Sequence, residues 1–357
     1  MIRGLKSIYR NIKRVFSRSD FIMSPYLQGV STRNIFVMIE SRTPEPVEVE
    51  YGESIRYGGR AQTRSVETTT VETYVHRILL DGLKPNTLYH YRVKGMDSDD
   101  TFYTAALPGT GFRFAWLADF RTGVAIHDQI ATLIREARPR VSFYGGDISR
   151  RSSYESFKID FFRPPQLELI ARVPFFNATG NHEGWSTNTK AFTQAPAGWP
   201  EDGYYSVDYG DLHTLVLNTE IDFEPGSSQY QFAQKDLAQT TRRWKMVTCH
   251  RPAYGAGGHG ENRKMKTMST NIFEPNKVDL VLSGHSHFYQ HNFVNGIHHL
   301  IIGSAGAPLY TPETAPYTIK SVKDYNYAIA DVSPMSLEII VYNNEKKELD
   351  RILLRKA

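Results

Sequence analysis

The sequence predicts an all-β sandwich followed by a layered α/β domain, and three observations lead there. Residues 21–108 are runs of β-branched and aromatic residues broken by Pro, Gly, Asn and Asp. From residue 109, beginning at "GTGF", compact apolar strands alternate with helical stretches. Several of these later strands end in Asp, Asn or His, and ligands in layered α/β folds gather beyond the carboxyl ends of strands. A chain of 357 residues has room for both regions.

Residues 1–20 form a basic segment of their own. Arg3, Lys6, Arg10, Lys13, Arg14 and Arg18 face no acidic residue before Asp20, so the formal charge of +4 hides a net −2 over the remainder. This argues against a nucleic-acid-binding surface spread over the whole protein. Leu5, Ile8, Ile12 and Val15 recur at helical spacing. The expected amphipathic helix can lie on an anionic membrane, or dock its apolar side on its own domain or a partner. The segment lacks the apolar core and cleavage site of a signal peptide, and no stretch is apolar for long enough to span a bilayer. The single cysteine, Cys249, cannot form an intrachain disulfide and fits a reducing compartment. Together these features predict a cytoplasmic protein with peripheral membrane contact through residues 1–19. They leave its oligomeric state open.

Within residues 21–108, "NIFVMIES", "VEVEYG", "TTVETYVHRILL" and "LYHYRVKG" read as short strands. The segment "LDGLKPNTLYHYRV" resembles the late strands of fibronectin type III domains, with Leu83, Tyr89 and Tyr91 as the matching residues. No catalytic constellation stands out here, so the expected role is scaffolding or substrate shaping. In residues 109–357, "FRFAWLA", "VSFYGG", "VPFFNATG", "HTLVLN", "WKMVTC", "VDLVLSG" and "HHLIIGSAG" read as strands of a sheet buried on both faces. "HDQIATLIREA" and "QYQFAQKDLAQ" read as intervening helices. The C-terminal stretch "YNYAIADVSPMSLEIIVYNNEKKELDRILL" returns to hairpin patterning and is expected to add edge strands to the second domain.

Five strand ends carry the chemistry: "LADFR" with Asp119, "GGDIS" with Asp147, "GNHEG" with Asn181 and His182, "TCHRP" with His250, and "GHSHF" with His285 and His287. A lone Asp after a strand is usually a turn or a cap. As a set, these residues bring oxygen and imidazole donors together in the mixture that suits Mn, Fe or Zn. Gly146, Gly180 and Gly284 would let the backbone turn tightly or approach a central ion. Asp147 is a natural bridge, because one carboxylate can serve two cations. Such a pair of cations clamps a phosphate and activates water.

The series Asp119, Gly-Gly-Asp147, Gly-Asn181-His182-Glu183, His250 and Gly-His285-Ser-His287 resembles the calcineurin-like metallophosphoesterase superfamily over roughly residues 112–308. The preceding β domain, "HRPAY" and "GSAGAPLY" resemble its purple acid phosphatase branch. The resemblance implies an α/β four-layer metallophosphoesterase sandwich, β-sheets flanked by helices. It places Asp119, Asp147 and His287 on a first metal ion, and Asp147, Asn181, His250 and His285 on a second. The ions implied are divalent or mixed-valence transition metals (Mn, Fe or Zn). His182 would contact substrate and His259 would assist the leaving group. The branch has an iron-binding tyrosine three residues after the bridging aspartate, where this chain has Arg150. The wider superfamily has a histidine two residues after the first aspartate, where this chain has Arg121. A purple ferric-tyrosinate centre is therefore not expected, and His127 in "DFRTGVAIHDQ" becomes the candidate replacement ligand. Arg121 and Arg150 are expected to face phosphate. Arg251 would bind substrate or orient its loop, and Tyr254 would line the pocket or pack. The implied activity is that of a binuclear metal-dependent phosphoric ester hydrolase, a phosphomonoesterase acting on a small phosphate ester through in-line attack by a hydroxide held by the ions. The alternatives are a phosphodiesterase of the same superfamily and a catalytically inactive phosphate-binding or protein-interaction module.

Overall fold

A computed structural model describes residues 20–199 and 202–356. The amphipathic segment expected over residues 1–19 lies outside the described residues. Strands β1 (Tyr26–Gln28), β2 (Ile35–Ser41), β3 (Glu48–Gly52), β4 (Gly59–Thr68), β5 (Tyr74–Leu80), β6 (Leu88–Val93) and β7 (Asp100–Tyr103) make the N-terminal region. The two layers share β4. Its residues 59–62 pair with β3, its residues 63–68 pair with β5, and the register shifts between Thr63 and Ser65. Leu27, Val37, Ile39, Val49, Leu83, Tyr89 and Tyr91 are buried between the layers.

The second region begins with β8 (Phe112–Leu117), α1 (Val124–Ala137), β9 (Val141–Tyr144), α2 (Tyr154–Asp160), α3 (Pro164–Ile170), β10 (Phe175–Asn177) and α4 (Thr187–Phe192). It continues with β11 (Tyr205–Tyr209), β12 (Leu212–Val216), α5 (Ser228–Gln239), β13 (Trp244–Cys249), α6 (Arg263–Met268), β14 (Leu280–Ser283), β15 (Tyr289–Val294), β16 (Ile297–Ile302) and β17 (Thr318–Val322). It closes with β18 (Tyr327–Val332), β19 (Ser336–Tyr342) and β20 (Glu348–Arg355). One sheet runs β20-β19-β18-β8-β9-β10, and the other runs β11-β12-β13-β14-β16-β15-β17. The strand period of two sends Phe114 and Trp116 inward to a core shared with Met246, Leu282 and Leu300 of the facing sheet. It sends Ala115 and Leu117 outward against Ile130 and Ile134 of α1 and Leu169 of α3. Leu215 and Val247 face Leu237 of α5 and Met265 and Met268 of α6. The result is the four-layer helix–sheet–sheet–helix architecture that the resemblance implied. The Trp116 indole crosses the inner core to donate to Thr248 Oγ1 at 2.9 Å. The C-terminal strands extend the first sheet beyond β8, as the hairpin patterning suggested.

The two regions are continuous, because β1 pairs in parallel with β10 at Gln28 and Phe175. Part of the junction converges on α4. Gln28 Nε2 and Tyr26 Oη both donate to the Phe192 carbonyl, at 2.9 and 3.1 Å, and Arg77 Nη2 donates to the Lys190 carbonyl at 2.7 Å. Asn188 Oδ1 accepts from the Thr70 N–H at 3.0 Å, while its Nδ2 donates to the Ser152 carbonyl at 2.8 Å. The β-rich region thus braces the segment that follows "GNHEGW".

Candidate metal centre

β8, β9 and β10 are parallel neighbours, as are β13 and β14, so their carboxyl ends gather at one edge of the two sheets. Asp119 follows β8, Asp147 follows β9, Asn181 and His182 follow β10, His250 follows β13, and His285 follows β14. Donor atoms of Asp119, Asp147 and His250, all buried, lie within 4.8 Å of one another. Asp119, Asp147 and His285 have φ of 58°, 52° and 69°, in the left-handed region that non-glycine residues seldom adopt. Neighbouring hydrogen bonds hold them there. The His285 N–H donates to Asp119 Oδ2 and the His182 N–H to Asp147 Oδ1, both at 2.9 Å. Glycine is required beside them for space. A Cβ on Gly180 would stand 2.4 Å from Asp147 Oδ1, and one on Gly284 would stand 2.4 Å from Asp119 Oδ2.

The tautomer of His250 follows from its partners. Nδ1 lies 2.8 Å from the Gly145 carbonyl and so donates, leaving the Nε2 lone pair free. That lone pair faces Asn181 Oδ1 at 3.1 Å, His285 Nδ1 at 3.1 Å and Asp147 Oδ1 at 3.4 Å. Donors bound at about 2.0–2.2 Å to a shared ion stand roughly 3.0–3.5 Å apart. Asn181, His285 and Asp147 thus each bring a donor atom within such a distance of His250 Nε2, and this O and N donor chemistry suits Mn, Fe or Zn. The electrostatics agree. Burial opposes charge on His250, but the Asp147 and Asp119 carboxylates outweigh it and raise its pKa. Burial likewise opposes ionisation of Asp147, yet His250, His182 and Arg121 hold its pKa below the usual value.

The first group behaves differently. His287 Nδ1 donates to the Pro308 carbonyl at 2.8 Å, so its Nε2 lone pair points inward, 3.4 Å from Asp119 Oδ1. The Arg121 guanidinium occupies the space between the donors. Its Nε donates to Asp147 Oδ2 and its Nη2 to His287 Nε2, both at 3.1 Å.

Residues 112–289 match the family described as calcineurin-like phosphoesterase, and residues 24–106 match the purple acid phosphatase N-terminal domain. The chain joins a calcineurin-like phosphoesterase domain to a purple acid phosphatase N-terminal domain. Purple acid phosphatase 21 of Arabidopsis thaliana is 28% identical over 270 residues, covering 68% of this chain and 60% of that protein. Probable inactive purple acid phosphatase 27 of the same plant is 24% identical over 251 residues, covering 58% of this chain and 41% of that protein. A purple acid phosphatase isolated from yellow lupin (Lupinus luteus) seeds superposes with a TM-score of 0.80 at 20% identity, over 93% of this chain and 74% of that one. The last likeness shows the fold. The chain spans 60% or less of these two Arabidopsis relatives, so their activities do not pass to it on similarity alone.

In the phosphoesterase domain His182 sits at the mouth of the centre. Its Nδ1 donates to the Arg150 carbonyl at 2.9 Å, and its Nε2 lies 3.8 Å from Asp147 Oδ2. His259 stacks on His285 with ring centres 4.1 Å apart. Two expectations, for Arg150 and His127, need correction, and two that were open, for Arg251 and Tyr254, resolve to one of their alternatives. Arg150 does not face phosphate, because its guanidinium forks onto the buried Asp160 carboxylate, with Nε at 3.0 Å and Nη2 at 2.5 Å. A buried carboxylate demands such a partner, and Arg150 serves the site through its carbonyl instead. Arg251 is committed to Glu220 at 2.8 and 2.9 Å and lies 3.3 Å from His285 Nε2, so it orients its loop. Tyr254 packs in the outer core with its ring edge against His299 and Tyr317, at 4.8 and 5.5 Å. His127 is not brought to the metal donors. It shares the buried face of α1 with Ile130, Ala131 and Ile134, stacks on Phe120 at 4.5 Å, and neither ring nitrogen has a hydrogen-bond partner.

Two residues were missed. Glu183 Oε1 accepts from the N–H groups of Asp147 at 3.0 Å and Gly180 at 2.8 Å, clamping two ligand loops together. Burial, with Asp147 beside it, pushes its pKa up to about 8. Tyr310 stacks on His287 at 4.1 Å. Both lie in quoted motifs, "GNHE" and "GSAGAPLY", which were the available signals.

Proposed function

We propose that this chain is a metal-dependent phosphoric ester hydrolase acting as a phosphomonoesterase on a small phosphate ester. The observation that carries the reading is the convergence of donor atoms from Asn181, His285 and Asp147 on His250 Nε2, at 3.1, 3.1 and 3.4 Å. Asp147, Asn181, His250 and His285 would hold a transition-metal ion, which would supply Lewis-acid charge and lower the pKa of water at that position. The protein's own residues do the rest. His182 has its Nδ1 proton committed to the Arg150 carbonyl, so its Nε2 would meet a phosphoryl oxygen as an imidazolium, with a proton on both ring nitrogens. Arg121 offers fixed positive charge to the transferring group. His259, exposed over His285, is positioned to give a proton to the departing ester oxygen. No residue here needs to become covalently modified. The likeness to purple acid phosphatases favours monoesters over diesters.

The test pairs metal content with turnover. Protein reconstituted separately with Mn, Fe and Zn is assayed on p-nitrophenyl phosphate and bis-p-nitrophenyl phosphate. The proposal expects metal-dependent hydrolysis, faster on the monoester and abolished in Asn181→Ala. Faster diester hydrolysis would make the protein a phosphodiesterase. Bound metal with no hydrolysis of either ester would make it a binding module, like a relative named as probably inactive.

A further inference from the structure

His250 and the three donors that converge on its Nε2 suit an ion, but the three residues that would complete a first position do not. Asp119, Asp147 and His287 surround a guanidinium already bonded to two of them. Arg121 Nε and Nη2 make 3.1 Å bonds to Asp147 Oδ2 and His287 Nε2, and the side chain is only 13% exposed. We propose that Arg121 is a built-in cation standing where a first metal would stand, so that the centre takes one metal ion, held by Asp147, Asn181, His250 and His285. This rests on reading the site as a metal centre and specifies what kind it is.

The chemistry of each partner supports the assignment. A guanidinium keeps its charge and has no lone pair, so Arg121 can never become a ligand. His287 has its Nδ1 proton on the Pro308 carbonyl and can only accept at Nε2, which is where Nη2 donates. The two oxygens of Asp147 are divided. Oδ1 faces His250 and takes the His182 N–H, whereas Oδ2 takes Arg121. The bridging carboxylate therefore joins one metal position to one guanidinium. Asp119 Oδ1 is the donor that Arg121 does not reach, and it adds negative charge to a centre with two adjacent cations. Among the described residues named as candidates, none completes a first metal position. Residue 121 supplies the guanidinium itself, Arg150 is bound to Asp160, and His127 is stacked on Phe120 in the core. An incoming ion would have to break both Arg121 bonds and stand beside a buried charge of its own sign.

The experiment counts and locates ions. Wild type, Arg121→His, His287→Ala and Asn181→Ala are reconstituted with Mn, freed of loose metal by gel filtration, and analysed for metal per chain and by electron paramagnetic resonance. The expected result is one ion and an isolated Mn(II) signal in wild type, retained in His287→Ala and lost in Asn181→Ala. Arg121→His, which restores a donor in place of the cation, should hold two ions with an exchange-coupled signal. Two tightly held ions in wild type would overturn this proposal while leaving the metal-dependent reading intact. So would one ion that His287→Ala loses and Asn181→Ala keeps. No bound ion in wild type would overturn both. The wild-type count and the two alanine variants decide the matter even if Arg121→His does not fold.

Discussion

Replacing Gly180 with alanine tests whether close backbone approach builds the centre. The added Cβ would lie 2.1 Å from the Asp147 nitrogen, 2.4 Å from its Oδ1 and 2.9 Å from its Cα. Two of the three atoms are Asp147 backbone, so the closest conflict cannot be relieved by a side-chain rotation. Ordinary contact begins near 3.4 Å, so the two loops must part by about 1 Å, the scale on which misplaced catalytic geometry loses roughly 100-fold in rate. The same movement pulls at the Glu183 clamp, whose two bonds hold Asp147 and Gly180 to one oxygen. Overpacking of this kind destabilises by about 1–3 kcal/mol, and disturbed support of a ligand weakens metal binding by about 10- to 100-fold. Competition with a chromophoric chelator measures the affinity, and urea melts measure the stability. Gly184→Ala is the comparator. Its φ is +52° and its Cβ meets nothing within 4 Å, so it suffers backbone strain without steric conflict. Wild-type metal affinity in Gly180→Ala would refute the reasoning.

His213 lies between Asp208 and Asp236 at 2.8 and 2.7 Å. Burial opposes its charge, but these two hydrogen bonds prevail and push its pKa up to about 9. A raised pKa gives stability that is whole below the unfolded value near 6.5 and is lost as pH climbs through 9. The amount is about 3 kcal/mol. His213→Gln should lose that much at pH 6 and little above pH 9.5, and urea melts showing an equal loss at both would reject the pairing. His127 runs the other way, because burial pushes its pKa down to about 4. Its stability is whole above 6.5 and falls as pH drops through 4, so His127→Phe should gain on wild type by up to about 3 kcal/mol between those values. Its metal content should not change, and a lost ion would return His127 to the ligand set. Arg150→Ala leaves Asp160 buried without its guanidinium and should cost about 2 kcal/mol. Thermal melts should show that loss much reduced in an Asp160→Asn background.

The donor set was legible because strand ends are local features. An aspartate after "FRFAWLA" or a histidine after "WKMVTC" can be placed at the sheet edge without knowing its neighbours. What the arginines do depends on tertiary partners that no local pattern marks. Asp160 is at the far end of α2 from the "GDISR" loop, and nothing near Arg150 announces the pair. Glu220 hides Arg251 in the same way. His127 did carry a signal, since Ile130, Ala131 and Ile134 continue its helical phase and mark a buried face. That periodicity outweighs its proximity in sequence to Asp119. The junction between the regions was not legible either, because the bonds from Tyr26, Gln28 and Arg77 to α4 join residues far apart in the chain.

That junction explains why a domain without a catalytic constellation matters to the site. Asp119, Asp147 and His285 occupy left-handed backbone conformations, and such strain, of order 1 kcal/mol or more per residue, persists only where surrounding structure over-determines it. Asn188 on α4 is tied both to Thr70 of the N-terminal domain and to the Ser152 carbonyl in the loop after Asp147. The same loop supplies the Arg150 carbonyl that orients His182, whose own N–H holds Asp147 Oδ1. The path from Thr70 to the bridging carboxylate thus runs through fixed hydrogen bonds and covalent backbone. A phosphoesterase domain separated from its β partner would keep every ligand but lose the brace on the loops that carry Asp147 and His182.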